Sequence, residues 1–124
     1  DETLWDGNIL YKDVLEILQH IKKQNHFIYI ASFNTLAKDV LNYLNITHYF
    51  NGGVYGVGKT KFDMIREILQ YHINNSNDTP DGIYFYDDNI TNITDVNIKS
   101  NGRINTIHII NGLNWHYIKY KITN

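Results

Sequence analysis

The eight residues GIYFYDDN, positions 82–89, constrain the fold of this chain more than any others. A short apolar and aromatic run ends abruptly in two adjacent carboxylates, Asp87 and Asp88. An apolar run of this length, bounded by turn formers, predicts a strand covered on both faces, the environment of a parallel sheet. Open α/β sheets bind ligands at the carboxyl ends of their strands. Two carboxylates at such an end repel each other unless they share a proton or a cation. The pair therefore points to a divalent metal, with Mg²⁺ favoured because it takes carboxylate oxygen. The blander reading is a solvated turn, since Asp-Asp-Asn is also good turn chemistry.

The rest of the chain supplies the partners such a strand needs. Val14, Leu15, Leu18 and Ile21 recur at helical spacing and predict an amphipathic helix over 12–23. FIYIASF, 27–33, reads as a second strand. Asn34 or Thr35 can cap a helix carrying Leu36, Val40, Leu41 and Leu44. A Gly-rich connection over 46–58 has room for a short strand near Tyr49 or Val54. A third helix is predicted over 61–72, with Phe62, Ile65, Ile68 and Leu69 inward, then a polar loop over 74–81. A short helix around 90–96, a strand over 104–110 and a last short helix over 114–122 complete the pattern. Strands alternating with helices imply parallel pairing through right-handed crossovers, hence a three-layer α/β fold.

Composition narrows the function classes. The chain of 124 residues fits one domain, and its formal net charge of −2 gives no reason to expect nucleic acid or a membrane surface as partner. No apolar stretch approaches the roughly 20 residues needed to span a bilayer. The acidic, polar start DETLWDGN is not a signal peptide. The absence of cysteine removes disulfides, thiolate catalysis and zinc–thiolate sites, and fits a cytoplasmic protein. The oligomeric state stays open.

One motif competes with the carboxylate pair. GVYGVGKT, from Gly53 to Thr60, matches the phosphate-loop pattern G-x-x-x-x-G-K-[ST] without a mismatch. It would make the chain a nucleotide-binding hydrolase, with Lys59 and Thr60 at the phosphates. The preceding THYFN is a poor buried strand, however, and the bland alternative is a Gly-rich turn into a helix.

Five short segments in order carry a resemblance. Asp1-Glu2-Thr3-Leu4-Trp5 looks like the end of a DxDxT motif followed by Leu-Trp. IYIASFN looks like a strand ending in a phosphate-binding Ser, and IYFYDDN supplies an acid pair. Lys59 or Lys61 lies between them. Ile107-His108-Ile109-Ile110-Asn111-Gly112-Leu113 matches an IHIQNGM-like ending. Over nearly its whole length the chain resembles the haloacid dehalogenase superfamily of phosphatases, and within it the magnesium-dependent phosphatase-1 type.

That resemblance implies a three-layer Rossmann-like fold with a parallel sheet, and phosphoryl transfer through an aspartyl-phosphate. Carried over residue by residue, Asp1 is the acid/base aspartate that protonates the leaving group and then activates water. Ser32 binds a phosphate oxygen, with Asn34 as a second donor. Lys59 is the phosphate lysine and Lys61 the runner-up. Asp88 is the direct Mg²⁺ ligand, with Asp87 beside it ligating directly or through water. Trp5 could line the mouth of the site. The nucleophilic aspartate would stand two positions before Asp1, on a strand between FIYIASF and GIYFYDD. The expectation is therefore that residues 1–124 are one domain lacking its first strand.

Neither the interval from Asp1 to Ser32 nor that from Lys59 to Asp87 has room for a lid domain. The expected protein is a capless Mg²⁺-dependent phosphatase acting on a phosphorylated protein or a small phosphate ester such as a sugar phosphate. The alternative within the same fold is a non-catalytic structural or interaction module.

Overall fold

The computed structural model describes residues 3–118. Asp1 lies outside the described residues, as does the end of the helix expected over 114–122. The described chain is mixed α/β. In order it runs β1 (Trp5–Asp6), β2 (Ile9–Leu10), α1 (Val14–Lys23), β3 (Tyr29–Ser32), α2 (Ala37–Tyr43), β4 (Gly52–Tyr55), α3 (Lys61–Ser76), β5 (Tyr84–Asp87), α4 (Ile90–Lys99) and β6 (Asn105–His108). Single 3-10 turns lie at Thr47–Tyr49 and Trp115–Tyr117.

The strands form three pairs. β1 and β2 make a small antiparallel hairpin, while β3 pairs with β4 and β5 with β6, both in parallel. Ser32 faces Tyr55 in the first parallel register, and Asp87 faces His108 in the second. Among the described residues no ladder joins β3 to β5, and the parallel strands stand as two separate pairs.

Helices bind the pairs together. α3 packs on both β3 and β4, α4 packs on both β5 and β6, and α3 packs on α4. Two apolar clusters result. Val14, Ile17 and Leu18 of α1 and Ala37 and Leu41 of α2 close over Ile30, Ile109 and Leu113. Trp5, expected at the mouth of the site, belongs to this cluster and is 3% exposed, because its indole finds a dry wall there. Ile65, Phe85, Ile93, Val96 and Ile104 form the second cluster, between α3, α4 and the β5–β6 pair.

α3 shows how the sequence aims its side chains. It begins at a full capping box: Thr60 Oγ1 accepts from the Asp63 amide at 3.2 Å, and Asp63 Oδ2 accepts from the Thr60 amide at 3.5 Å. It runs four residues past the expected end and stops at Asn77, whose left-handed φ of 56° suits an asparagine. Lys61, Ile65, Ile68 and His72 recur at helical spacing along its inner face. That face therefore carries a buried polar group near each end. His72 receives or gives a hydrogen bond at Tyr29 Oη, 2.8 Å away, beneath β3. Lys61 stands at the opposite end, beside the tips of β3 and β5.

Candidate active site at the strand tips

β5 ends by turning Asp87 inward and Asp88 outward, as strand alternation requires. Asp87 is 4% exposed, and both oxygens of its carboxylate accept hydrogen bonds. Oδ1 accepts from the Asn89 amide at 2.8 Å, and Oδ2 accepts from Asn92 Nδ2 and from Lys61 Nζ, each at 3.2 Å. Asn89 then caps α4 through the Thr91 amide. The pair of acids thus leads directly into a helix N-terminus, where the peptide dipoles favour negative charge.

Across from it, β3 ends in Ser32, which is 1% exposed. Ser32 Oγ accepts from the Asn34 amide at 3.1 Å, and no acceptor among the described residues takes the hydroxyl proton. Asn34, an exposed residue, uses Oδ1 to hold the Leu36 amide at 2.9 Å. Ser32, Phe33, Asn34, Lys61, Asp87, Asp88, Asn89 and Asn92 together line a cavity of about 260 Å³. A larger cleft, about 450 Å³, is walled entirely by residues of α3; its sides come from one helix, and it gathers no groups from the strand tips.

The lysine at this cavity is Lys61. Its ammonium donates to the Ala31 carbonyl at 2.9 Å as well as to Asp87, and lies 4.7 Å from the centre of the Phe33 ring. Lys59 points elsewhere: it pairs with Glu67 at 2.6 Å on the exposed side of α3 and does not line the cavity. The physical reason is helix phase. Lys61 is the first residue of α3 on the face that meets β3, whereas Lys59 precedes the cap and reaches along the outside.

The same loop bears on the phosphate-loop reading. Gly53 is a residue of β4, paired with Ile30, rather than the start of a loop that leaves the strand. Only Gly56, Val57, Gly58, Lys59 and Thr60 separate β4 from α3. Lys59 is tied to Glu67 and Thr60 to Asp63, so neither is aimed at an anion held by that loop.

Asp88 carries the electrostatic tension of the site. Its carboxyl is held above the ordinary carboxylate range, first by desolvation against the surrounding wall and then by the neighbouring Asp87. The residue is nonetheless exposed on its outer side. A group in that position gains from any cation that reaches it. The oxygens of Asp88, assisted by Asp87 and the Asn89 and Asn92 side chains, are of the hard type that Mg²⁺ takes, one or two carboxylates being enough when phosphate and water complete the shell. Among the described residues no group of three or more acids or histidines converges on a metal position. His108, at the tip of β6, uses Nε2 on the Asp88 carbonyl at 3.0 Å and so braces the turn.

The structure thus brings together Ser32, Asn34, Asp87, Asp88 and Lys61, and leaves Lys59 out. Sequence reasoning missed Asn92 and Phe33. Asn92 stands five residues after Asp87 in the first turn of α4, a spacing that returns its amide to the carboxylate once the helix is placed. Phe33 carried no signal beyond its place after Ser32. Among the described residues no helix is long and apolar enough to cross a membrane. Compared with known proteins, the chain matches no family model and no curated sequence.

Proposed function

We propose that this chain belongs to a capless, Mg²⁺-dependent phosphatase of the haloacid dehalogenase type, with a three-layer Rossmann-like fold, hydrolysing phosphate monoesters through an aspartyl-phosphate. The observation that carries the reading is the convergence of a buried ammonium, a buried hydroxyl with an uncommitted proton and two carboxylates on one cavity at the tips of parallel strands. Two of the Lys61 donors are committed to Ala31 and Asp87, and the third has no oxygen partner among the described residues. A phosphoryl oxygen would complete it, with the Ser32 hydroxyl and the Asn34 amide as further donors. Mg²⁺ at Asp88 and Asp87 would supply positive charge to the phosphoryl oxygens.

In this reading Asp1 is the acid/base group, and the resemblance would put the attacking aspartate two positions before it. The described residues contribute the anion-binding and cation-binding side of the site. The substrate is a phosphorylated protein or a small phosphate ester, reached through an open mouth.

The test is hydrolysis of p-nitrophenyl phosphate by the full-length protein with and without Mg²⁺. Turnover that needs the metal, and that falls by about 100-fold or more in Asp88→Asn and in Lys61→Met, is the expected result. Metal-independent turnover, or turnover that survives both substitutions, would overturn the assignment. Phosphate binding without any turnover would leave a non-catalytic member of the same fold.

A further inference from the structure

His108 closes the turn that carries the acid pair, and it does so from outside the cavity. It stands at the end of β6, opposite Asp87 in the parallel register. The two peptide groups that flank Asp88 are both pinned. The first is held by its oxygen: the Asp87 carbonyl accepts from the Ile109 amide at 2.8 Å. The second is held at each end. The Asn89 amide donates to Asp87 Oδ1 at 2.8 Å, and the Asp88 carbonyl takes His108 Nε2 at 3.0 Å. A carbonyl oxygen only accepts, so Nε2 carries the hydrogen of that bond whether the ring is neutral or charged. Nε2 is thereby committed and the ring stands off the cavity, so His108 reaches the site through Asp88.

We propose that His108 is a positioning residue of the cation site, its imidazole fixing the Asp88 main chain so that the Asp88 carboxylate is presented to a divalent cation. The proposal rests on the cation-site reading above and adds what orients the ligand. Asp87 is poorly placed to serve alone, because Oδ2 is shared by Lys61 and Asn92 and Oδ1 holds the Asn89 amide. Asp88 is the carboxylate left to meet a cation. It sits between the end of β5 and the cap of α4, where neither ladder nor helix fixes its carbonyl. A ligand on a loose turn loses conformational freedom when it binds, and an outer hydrogen bond that holds the turn beforehand removes that cost.

Metal binding tests this without turnover. Mn²⁺ takes the same hard oxygen ligands as Mg²⁺, and its binding to the full-length protein is measured by electron paramagnetic resonance with no substrate present. His108→Leu removes the donor and is expected to weaken Mn²⁺ binding by about 10-fold, the scale of a lost outer-shell partner. His108→Gln carries an amide nitrogen that reaches about as far as Nε2, and is expected to stay within about 3-fold of the unsubstituted protein. His108→Asn presents the same amide one methylene short and is expected to behave like the leucine variant. The contrast between Gln and Asn is the readout. Both lose the ring and both are polar, so a loss of packing lowers them alike and does not mimic the effect, and the contrast serves even where the leucine variant folds poorly. Binding within about 3-fold of the unsubstituted protein in both His108→Leu and His108→Asn, or equal weakening in His108→Gln and His108→Asn, overturns the proposal while the cation site stands. No Mn²⁺ binding by the unsubstituted protein, or binding unchanged in Asp88→Asn, overturns the cation site and this proposal with it.

Discussion

Lys61 Nζ stands 3.2 Å from Asp87 Oδ2, and the two side chains are only 6% and 5% exposed. A buried ion pair is not in itself a source of stability, since both ions lose their hydration. Breaking one half is nevertheless costly, because the other half is left charged in a dry place. Asp87 would keep the Asn89 amide and Asn92 but lose its counter-ion. Lys61→Met and Asp87→Asn are each expected to destabilise the protein by about 3 kcal/mol. The double variant should cost clearly less than the sum, by about 1 kcal/mol or more. Urea denaturation of the four proteins checks this, and strict additivity would mean that the pair is not coupled in solution.

The contrast between Lys59 and Lys61 shows what was legible beforehand. Apolar periodicity located the four helices of the described residues and three of the four parallel strands, because burial of one face is written directly in residue spacing, whereas β4 had only room for a short strand near Tyr49 or Val54 in a Gly-rich connection. The choice between two lysines two residues apart depended on the phase of α3 relative to β3, which one helix does not reveal by itself. The β1–β2 hairpin was overlooked because its strands are two residues long, although Gly7-Asn8, with Gly at the first turn position, is a hairpin turn signal. The acid pair was legible as an electrostatic problem; which of its members is locked and which is open was not, because that depends on Asn89, Asn92 and Lys61 arriving from two helices and a turn.

Asp88 predicts a pH signature. Its carboxyl holds a proton more tightly in the folded protein than at the ordinary value of 3.8. The folded state is therefore favoured below that value, and this advantage is lost as pH rises from 3.8 through the raised folded value. At neutral pH the ionised Asp88 is a liability. Asp88→Asn is expected to stabilise the protein at about pH 7, by less than about 1 kcal/mol after solvent screening, and to have no such effect at about pH 3. Mg²⁺ should raise the melting temperature of the unsubstituted protein and not that of Asp88→Asn. An equal effect of the substitution at both pH values would refute the electrostatic account.

Tyr86 offers a stabilising change. Its hydroxyl is buried and has no hydrogen-bond partner among the described residues. Burial, and to a lesser degree Tyr84, push its pKa up to about 12, so it is never ionised under ordinary conditions. A buried hydroxyl without a partner costs desolvation with no return. Tyr86→Phe removes the hydroxyl and keeps the ring against the first apolar cluster. It is expected to stabilise the protein by about 1 kcal/mol in thermal or urea denaturation. A loss of stability of similar size would show that the hydroxyl is paired in solution.

Gly112 separates two kinds of backbone constraint when set beside Gly58. Both have left-handed φ, +87° at Gly112 and +97° at Gly58. A Cβ at Gly58 would meet nothing within 4 Å, whereas at Gly112 it would run into the Tyr11 ring. Gly58→Ala therefore measures the conformational cost alone, about 1 kcal/mol. Gly112→Ala adds a collision with a ring packed against the first cluster, and is expected to cost about 3 kcal/mol or more. Trimming the obstacle tests the cause: in a Tyr11→Ala background the added cost of Gly112→Ala should fall to that of Gly58→Ala. Should the cost at Gly112 persist without the Tyr11 ring, the constraint there would be conformational and not steric.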